Sequence, residues 1–367
     1  MVIKKLRLKN FRNYSDETFE FSDGINIIGG ANAQGKTNCA EAIFFLCTGY
    51  SPRAARDKQM ISAGEDKGSV YGEAVSGFGK ISVDIALYKD RNKEIKINGV
   101  PVSKVGELIG NVNSVFFNPA ELKLIQEAPE DRRRFLDISL SQMSNKYFYA
   151  LQKYKKILSQ RNNLLKEEDR QMVFETLPVW DISLASAGAK VIAERNAYIA
   201  KLEPYAREAH FMITDGAEEM SVTGDYKYEG TEGEIYDALI AALKEKLEKD
   251  YELGYTTVGP HRDDLKIRVN GIDVRTYGSQ GQQRSCALSL KLAECEIFKE
   301  RFGEYPVLIL DDAYSELDKT RRKNLMNAAK KMQTIITCTE KESIPEYEKY
   351  NNITISGGKI IGKEVAL

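Results

Sequence analysis

The stretch NIIGGANAQGKTNCAEA, residues 26–42, carries Gly30, Gly35, Lys36 and Thr37 at the spacing G-x-x-x-x-G-K-[ST]. That spacing suits a loop that cradles phosphate. Glycines let successive backbone N–H groups turn onto phosphate oxygens, and a following helix adds a favourable field at its N-terminus. Lys36 supplies a point charge between the β and γ phosphates, and Thr37 a hydroxyl for Mg²⁺. A fortuitous glycine-rich turn would lack the flanking order found here, an apolar run at 25–28 and a helical segment from about Gly35 to Cys47. The loop predicts a bound nucleoside triphosphate, and no acceptor site lies near it.

Two more segments could complete that chemistry. In VLILDDAYSELD, residues 307–318, an apolar strand ends at Asp311. A carboxylate there can hold the Mg²⁺ that Thr37 reaches. Asp312 points elsewhere and can polarise a water for attack on the γ phosphate. The plainer alternative is a core strand followed by an acidic helix cap starting at Ser315. In YGSQGQQRSCALSLKLAE, residues 277–294, Ser279, Gly281 and Gln282 precede a helix striped by Leu288, Leu292 and Cys295. By itself this is a capping box, Ser279 with Gln282. Beside the first loop, a second phosphate-friendly helix end would let two subunits share one nucleotide.

The elements that must position these residues follow from periodicity. Strands are expected at 2–9, 19–21 and 25–28, a meander at 69–99 closing on an Asn98-Gly99 turn, and a strand at 112–117. From about Pro119 to Asp250 the pattern is helical, with Tyr147, Leu151, Tyr154, Leu158 and Leu165 on one stripe and a second helix over 179–213. MSVTGDYKYEG interrupts before a helix at 232–251. A hairpin follows at 265–274, then a helix (280–300), a strand (306–312), a helix (317–331) and a strand (334–338). The fold class is therefore α/β, split by a mostly helical insertion: 1–118, 119–252 and 253–367.

Composition sets the outer limits. With 53 basic and 54 acidic side chains in 367 residues, total charge implies no polyanion partner; a local basic face is required. Five cysteines, none at C-x-x-C spacing, argue against a disulfide framework or zinc site and for a reducing compartment. No secretion signal or 18-residue apolar window is visible, so a cytoplasmic protein without membrane association is expected.

The three motifs, in this order, resemble those of the ATP-binding-cassette ATPases, with SQGQQ as signature and SELD as D-loop. Lys36 and Ser279 are separated by the whole helical insertion, a habit of the chromosome-maintenance and repair branch. Within it, LRLKNFRNY (6–14), GANAQGKTN (30–38), SPRAARD (51–57), RRRFLD (132–137), VGPHRDDL (258–265), GSQGQQRS (278–285) and LILDDAYSELD (308–318) resemble the bacterial RecF family of recombination mediators. The resemblance runs the length of the chain. It implies a split ABC-type ATPase head with a helical second lobe, ATP and Mg²⁺ as cofactors, and slow, DNA-dependent hydrolysis.

Residue by residue, the resemblance puts Gly30, Asn32, Gly35, Lys36, Thr37 and Asn38 at phosphate-loop positions. Asp311 matches the Mg²⁺-holding aspartate and Asp312 the hydrolytic carboxylate. Ser279, Gly281 and Gln282 match residues that reach the γ phosphate held by the opposite subunit. Arg12 resembles a phosphate-contacting arginine. Ala33 stands where glycine is frequent, tolerable if its torsions are ordinary. TIITCTEK (334–341) lacks a switch histidine, leaving Thr337 or Thr339 as a weak substitute. A structural or lobe-communicating role is implied for His261-Arg262. The implied partners are double-stranded DNA and single-strand/double-strand junctions, a RecR-type mediator, and a second copy in the ATP state. The implied outcome is help in loading a recombinase at gaps.

The local basic face is found between Arg132 and Lys166, where Arg132, Arg133, Arg134, Lys146, Lys153, Lys155, Lys156, Arg161 and Lys166 face one acid, Asp137. Such density gives sequence-independent polyphosphate binding by counterion release. Arg132, Arg133, Lys153, Lys155, Lys156 and Arg161 are the candidate DNA contacts. The bland reading is a solvated helix face with the interleaved aromatics in the core. Competing functions are another repair ATPase of the same branch, a transporter's nucleotide-binding subunit, and a scaffold that binds ATP without turnover.

Overall fold

The computed structural model describes residues 1–225, 227–313, 317–339 and 350–366. The chain forms two compact units from interleaved segments: 1–122, 205–219 and 279–367 make one, and 123–204 with 220–278 the other. Residues 253–278, grouped with the ATPase lobe on sequence, thus pack in the second unit.

The first unit opens with β1 (Val2–Phe11), β2 (Tyr14–Glu20), β3 (Ile25–Gly29), α1 (Lys36–Thr48), β4 (Lys67–Ser76), β5 (Gly79–Tyr88), β6 (Glu94–Ile97), β7 (Val100–Val102), α2 (Val105–Leu108) and β8 (Ser114–Phe117). The second holds α3 (Lys123–Gln126), α4 (Pro129–Met143), α5 (Asn145–Leu164), most of α6 (Arg170–Ile213), β9 (Met220–Gly224), α7 (Glu232–Glu245), α8 (Leu247–Leu253), β10 (Leu265–Val269), β11 (Ile272–Asp273) and α9 (Val274–Tyr277). The first resumes with α10 (Gln280–Phe302), β12 (Val307–Asp311), α11 (Lys319–Ala329), β13 (Thr334–Cys338), β14 (Tyr350–Ser356) and β15 (Lys359–Ala366).

Two sheets frame the first unit. One is antiparallel, ordered β2-β1-β4-β5-β6-β7; the other, ordered β15-β14-β3-β13-β12-β8, is parallel except for its β14–β15 edge. β3, β12 and β13 are buried throughout, which is why they read as continuous apolar runs rather than alternating ones. α1 packs against β4 and β5 of one sheet and β8, β12 and β13 of the other. A helix between two sheets has no solvent face, and every residue from Cys39 to Thr48 is buried.

In the second unit α5 buries Tyr147, Phe148, Leu151, Tyr154, Ile157 and Arg161. The core stripe therefore runs through Ile157; Leu158, expected there, is only half-buried. The aromatics Tyr147 and Tyr154 are core residues. α6 runs through Pro178 and Pro204, and the expected single helix at 232–251 breaks at Lys246 into α7 and α8. The β14–β15 hairpin, turning at Gly357-Gly358, has no counterpart in the sequence reading. α11 is capped by Asp318, whose side chain accepts from the Arg321 N–H; Ser315 lies outside the described residues. Among the described residues no helix is long and apolar enough to cross a membrane.

Candidate nucleotide site and basic helix

The phosphate-type loop joins β3 to α1, and its shape depends on two glycines. Gly30 has φ 150°, and a side chain there would meet the Ile355 carbonyl oxygen of β14 at 2.3 Å. Gly35 has φ 120°, with Asn13 and the Tyr14 hydroxyl under 3 Å from any Cβ. The hydroxyl of Tyr14 donates to the Gly35 carbonyl at 2.9 Å, and Asn13 Nδ2 to that of Gln34 at 3.0 Å. Asn38 Nδ2 donates to Asn13 Oδ1 at 2.8 Å. The β1–β2 turn thus grips the loop from one side. From the other, Gly358 N–H donates to the Gln34 carbonyl. Ala33 sits at φ 63°, in the left-handed region, so the expectation of ordinary torsions is corrected: this alanine is held against its backbone preference.

Lys36 Nζ donates to the carbonyls of Gly30 and Ala31 at 2.7 and 2.8 Å. Burial pushes its pKa down, opposed by the nearby charges of Asp312, Cys338 and Asp311. The lysine and both aspartates are therefore gathered at the carboxyl ends of β3, β12 and β13, the edge where open parallel sheets hold ligands. Thr37 lies beside Asp311, as expected of two groups meant to meet one cation. Burial raises the Asp311 pKa, opposed by Thr337, Thr37 and Arg53, while Asp312 adds to the rise.

Thr337 proves to be the hinge pin of this edge. It lies opposite Asp311 on β13; its hydroxyl donates to Asp311 Oδ1 at 2.7 Å and accepts from the Asp312 N–H at 3.0 Å. Asp312 takes φ 52°, a torsion Asp tolerates better than most residues. One hydroxyl fixes the carboxylate of Asp311 and the backbone of Asp312.

Arg12 is anchored beside the first turns of α1. Its Nε and Nη2 form a fork on Glu41 of α1 at 2.9 and 2.6 Å, and Nη1 donates to the Gln59 carbonyl. Glu41 is fully buried and also accepts from Ser51 and lies 3.7 Å from Arg53. Arg53 further donates to Asn38 Oδ1 at 3.1 Å. This knot ties the SPRAARD segment to the first turns of α1. Glu41, Arg53, Tyr14 and Asn13 were not singled out on sequence. They come from three separate segments, and only folding brings them to the loop.

Ser279, Gly281 and Gln282 form a second cluster at the N-terminus of α10. Ser279 accepts from the Gln282 N–H, and the Gln282 side chain accepts from the Ser279 N–H, so the capping box exists. The guanidinium of Arg321 stands 3.8 Å from where a Gly281 side chain would begin. Asn32 is exposed, with its carbonyl accepting from Gln34 Nε2. Thr339 lies at the edge of the described residues.

The basic helices separate into two populations. Lys153, Lys155 and Lys156 are exposed on α5, Lys155 forming a 3.2 Å pair with Asp137. Arg132 and Arg161 do not share that face, which corrects their assignment. Arg132 is buried and forks onto Asp264; Arg161 is fully buried between Asp181 and Asp250 at 2.7 and 2.8 Å. A guanidinium so enclosed cannot leave its carboxylate for a polyphosphate without stranding a buried charge. Arg133 is half-buried, donating to the Asp263 carbonyl, and burial lowers its pKa.

GPHRDD supplies the partners of Arg132 and Arg133. His261 Nε2 is 2.9 Å from the Thr256 carbonyl, which only accepts, so the ring carries its proton there and Nδ1 accepts from Tyr154 at 2.6 Å. Burial pushes this histidine down to about 4. Asp263 and Asp264 receive Arg195 and Arg132. Burial raises Asp263 to about 6 against the pull of Arg195. Within its unit the motif is structural.

The family described as RecF/RecN/SMC N terminal domain matches residues 2–361. Curated relatives called DNA replication and repair protein RecF include those of Ruminiclostridium cellulolyticum, 42% identical over 98% of this chain and 99% of the relative, and Alkaliphilus oremlandii, 40% over 94% and 95%. A solved structure described as the recombination mediator protein RecF-ATP in the RecFOR pathway is 35% identical, with a TM-score of 0.88 over 100% of this chain and 97% of that one. An Smc head bound to the C-winged helix domain of ScpA, 16% identical with a TM-score of 0.61, shares the ATP-binding-cassette head fold. Sequence, fold and motif order agree: the chain belongs to the RecF family of DNA replication and repair proteins.

Proposed function

We propose that this protein is an ATP-switched DNA clamp of recombinational repair. Two copies close over duplex DNA beside a single-stranded gap, and each ATP is held by the phosphate loop of one copy and the Ser279–Gln282 turn of the other. A nucleotide-bearing relative in the RecFOR pathway supports ATP as the ligand and a RecR-type mediator as a partner. The observation that carries the reading is the convergence of Lys36, Thr37, Asp311 and Asp312 on one sheet edge, locked by Thr337.

In this reading the Gly30–Lys36 loop binds the β and γ phosphates through its N–H groups, with Lys36 exchanging loop carbonyls for phosphate oxygens. Thr37 and Asp311 offer hard oxygen donors without a closed protein cage, which fits Mg²⁺ better than a softer ion. Mg²⁺ there would neutralise phosphate charge as the terminal group departs. Asp312 orients the attacking water and takes its proton. Ser279 and Gly281 hold the γ phosphate from across the dimer, and its loss unlocks the two copies. Helix α5 contributes Lys153, Lys155 and Lys156 to the DNA face, independent of base sequence. The outcome is a recombinase-loading site marked at the junction.

Sedimentation with ATP, a non-hydrolysable analogue and ADP tests the switch. Dimers are expected with the first two only, and Lys36→Ala should remain monomeric in all three. Dimers of Lys36→Ala equal to those of the parent in ATP would discard the scheme.

A further inference from the structure

A buried polar chain lies behind the first turns of α10, unused by the chemistry above. Ser285 Oγ donates to the Gly281 carbonyl at 2.8 Å, and Ser289 Oγ to the Ser285 carbonyl at 2.7 Å. Hydroxyls bonded back to the carbonyl four residues earlier bend and brace successive turns. Ser289 Oγ is also 3.2 Å from Nδ1 of His210, a fully buried residue in the last turn of α6. The other ring nitrogen is 3.1 Å from Glu218 Oε2. Arg321 of α11 closes the group, paired with Asp318 and facing Gly281. All these residues belong to the first unit.

Ser289 has spent its single proton on Ser285, so toward His210 it only accepts, and Nδ1 must donate. A neutral ring protonated at Nδ1 turns a lone pair at Nε2 onto a carboxylate oxygen. The contact with Glu218 holds only with one further proton, on Nε2 or on the carboxylate. Burial lowers the His210 pKa; of the charged groups around the ring, Glu218 favours that proton and Arg321 opposes it, and Cys286 lies near Glu218.

We infer that His210 is a positioning residue for the Ser279–Gln282 turn, and that the proton it shares with Glu218 controls how firmly α10 holds that turn. Losing the proton leaves the ring one N–H for two acceptors, so either the Glu218 or the Ser289 contact opens, and the helix end that meets the γ phosphate loosens. The inference rests on the bridging role proposed above.

Two readouts on the full chain separate them. The first is amide hydrogen exchange over residues 280–290 without nucleotide, corrected for intrinsic rates. His210→Ala should exchange about tenfold faster, as expected for roughly one lost hydrogen bond. Wild-type protection should fall as pH rises. In Glu218→Gln the amide donates to Nε2 without an extra proton, so the profile should be flat. The second is ATP turnover and dimerisation. His210→Ala should lower kcat with KM for ATP unchanged, and Glu218→Gln should keep activity while losing its pH dependence. Wild-type exchange in His210→Ala, or a pH profile of Glu218→Gln that matches wild type, overturns the inference. If His210→Ala does not fold, Glu218→Gln decides alone. If wild type never dimerises with ATP, the bridging proposal fails, and the exchange profiles still judge the brace.

Discussion

Single residues at the nucleotide edge carry tasks that can be measured separately. Ala33 occupies a torsion that costs a non-glycine residue roughly 1 kcal/mol or more. Ala33→Gly should raise stability by about 1 kcal/mol in denaturant titration, less whatever the freer unfolded chain returns; a loss of stability would show that the methyl group makes a contact worth more than the strain. Thr337→Val tests the pin. It keeps shape in a buried strand and deletes the hydroxyl shared by Asp311 and Asp312. Removing a bond of this kind costs about 1 to 1.5 kcal/mol, so kcat for ATP should fall about tenfold with KM little changed. An unaltered kcat would mean that the two aspartates are held by the strand alone. Glu41→Ala removes the buried partner of Arg12 and should cost about 3 kcal/mol of stability, since a lone guanidinium is left behind.

At the scale of elements, the second unit is pinned by charge pairs between helices and the GPHRDD loop, and two of its groups pull stability in opposite directions. His261, depressed to about 4, stays neutral in the fold while the unfolded chain takes up a proton near 6.5. Its contribution is complete above pH 6.5 and is lost as pH falls toward 4. Asp263, raised to about 6, keeps its proton in the fold longer than in the unfolded chain. Its contribution is complete below about 3.8 and is lost as pH rises through 6. Across pH 4 to 6 the two slopes nearly cancel. Asp263→Asn removes one of them, so stability should then rise by about 3 kcal/mol from pH 4 to 6.5; a flat profile in thermal melts would contradict the opposition. This pairing also shows what the sequence left unreadable. The motifs at 30–37 and 307–312 are contiguous, and each carries its own strand and turn signals. Burial of Arg132 and Arg161 depends on Asp264, Asp181 and Asp250, which local charge density cannot reveal. Counting basic residues therefore merged core arginines with surface lysines. The torsion of Ala33 was equally hidden, because β14 and the β1–β2 turn impose the loop's path from segments far along the chain.

For the whole molecule, the question is whether the lysines left on the surface of α5 suffice to hold DNA. The net charge of −1 gives no long-range attraction, so any affinity must come from a local face. With Arg132 and Arg161 committed to carboxylates, Lys153 and Lys156 are exposed one turn apart, and Lys155 is drawn toward Asp137. Each lysine that neutralises a phosphate releases counterions and adds about 0.9 to the slope of log K against log salt. Lys153→Glu with Lys156→Glu should therefore weaken duplex binding and lower that slope by about 2, whatever the sequence of the duplex. Lys155→Glu places a second carboxylate beside Asp137, and should cost stability as well as binding. Arg161→Lys should destabilise the fold, because one ammonium cannot serve two buried aspartates, yet leave the slope of the folded protein unchanged. Measured together, these variants separate a charged surface from a charged core. If the double lysine variant keeps the parent slope, α5 is a solvated helix and DNA lies against another face of the protein.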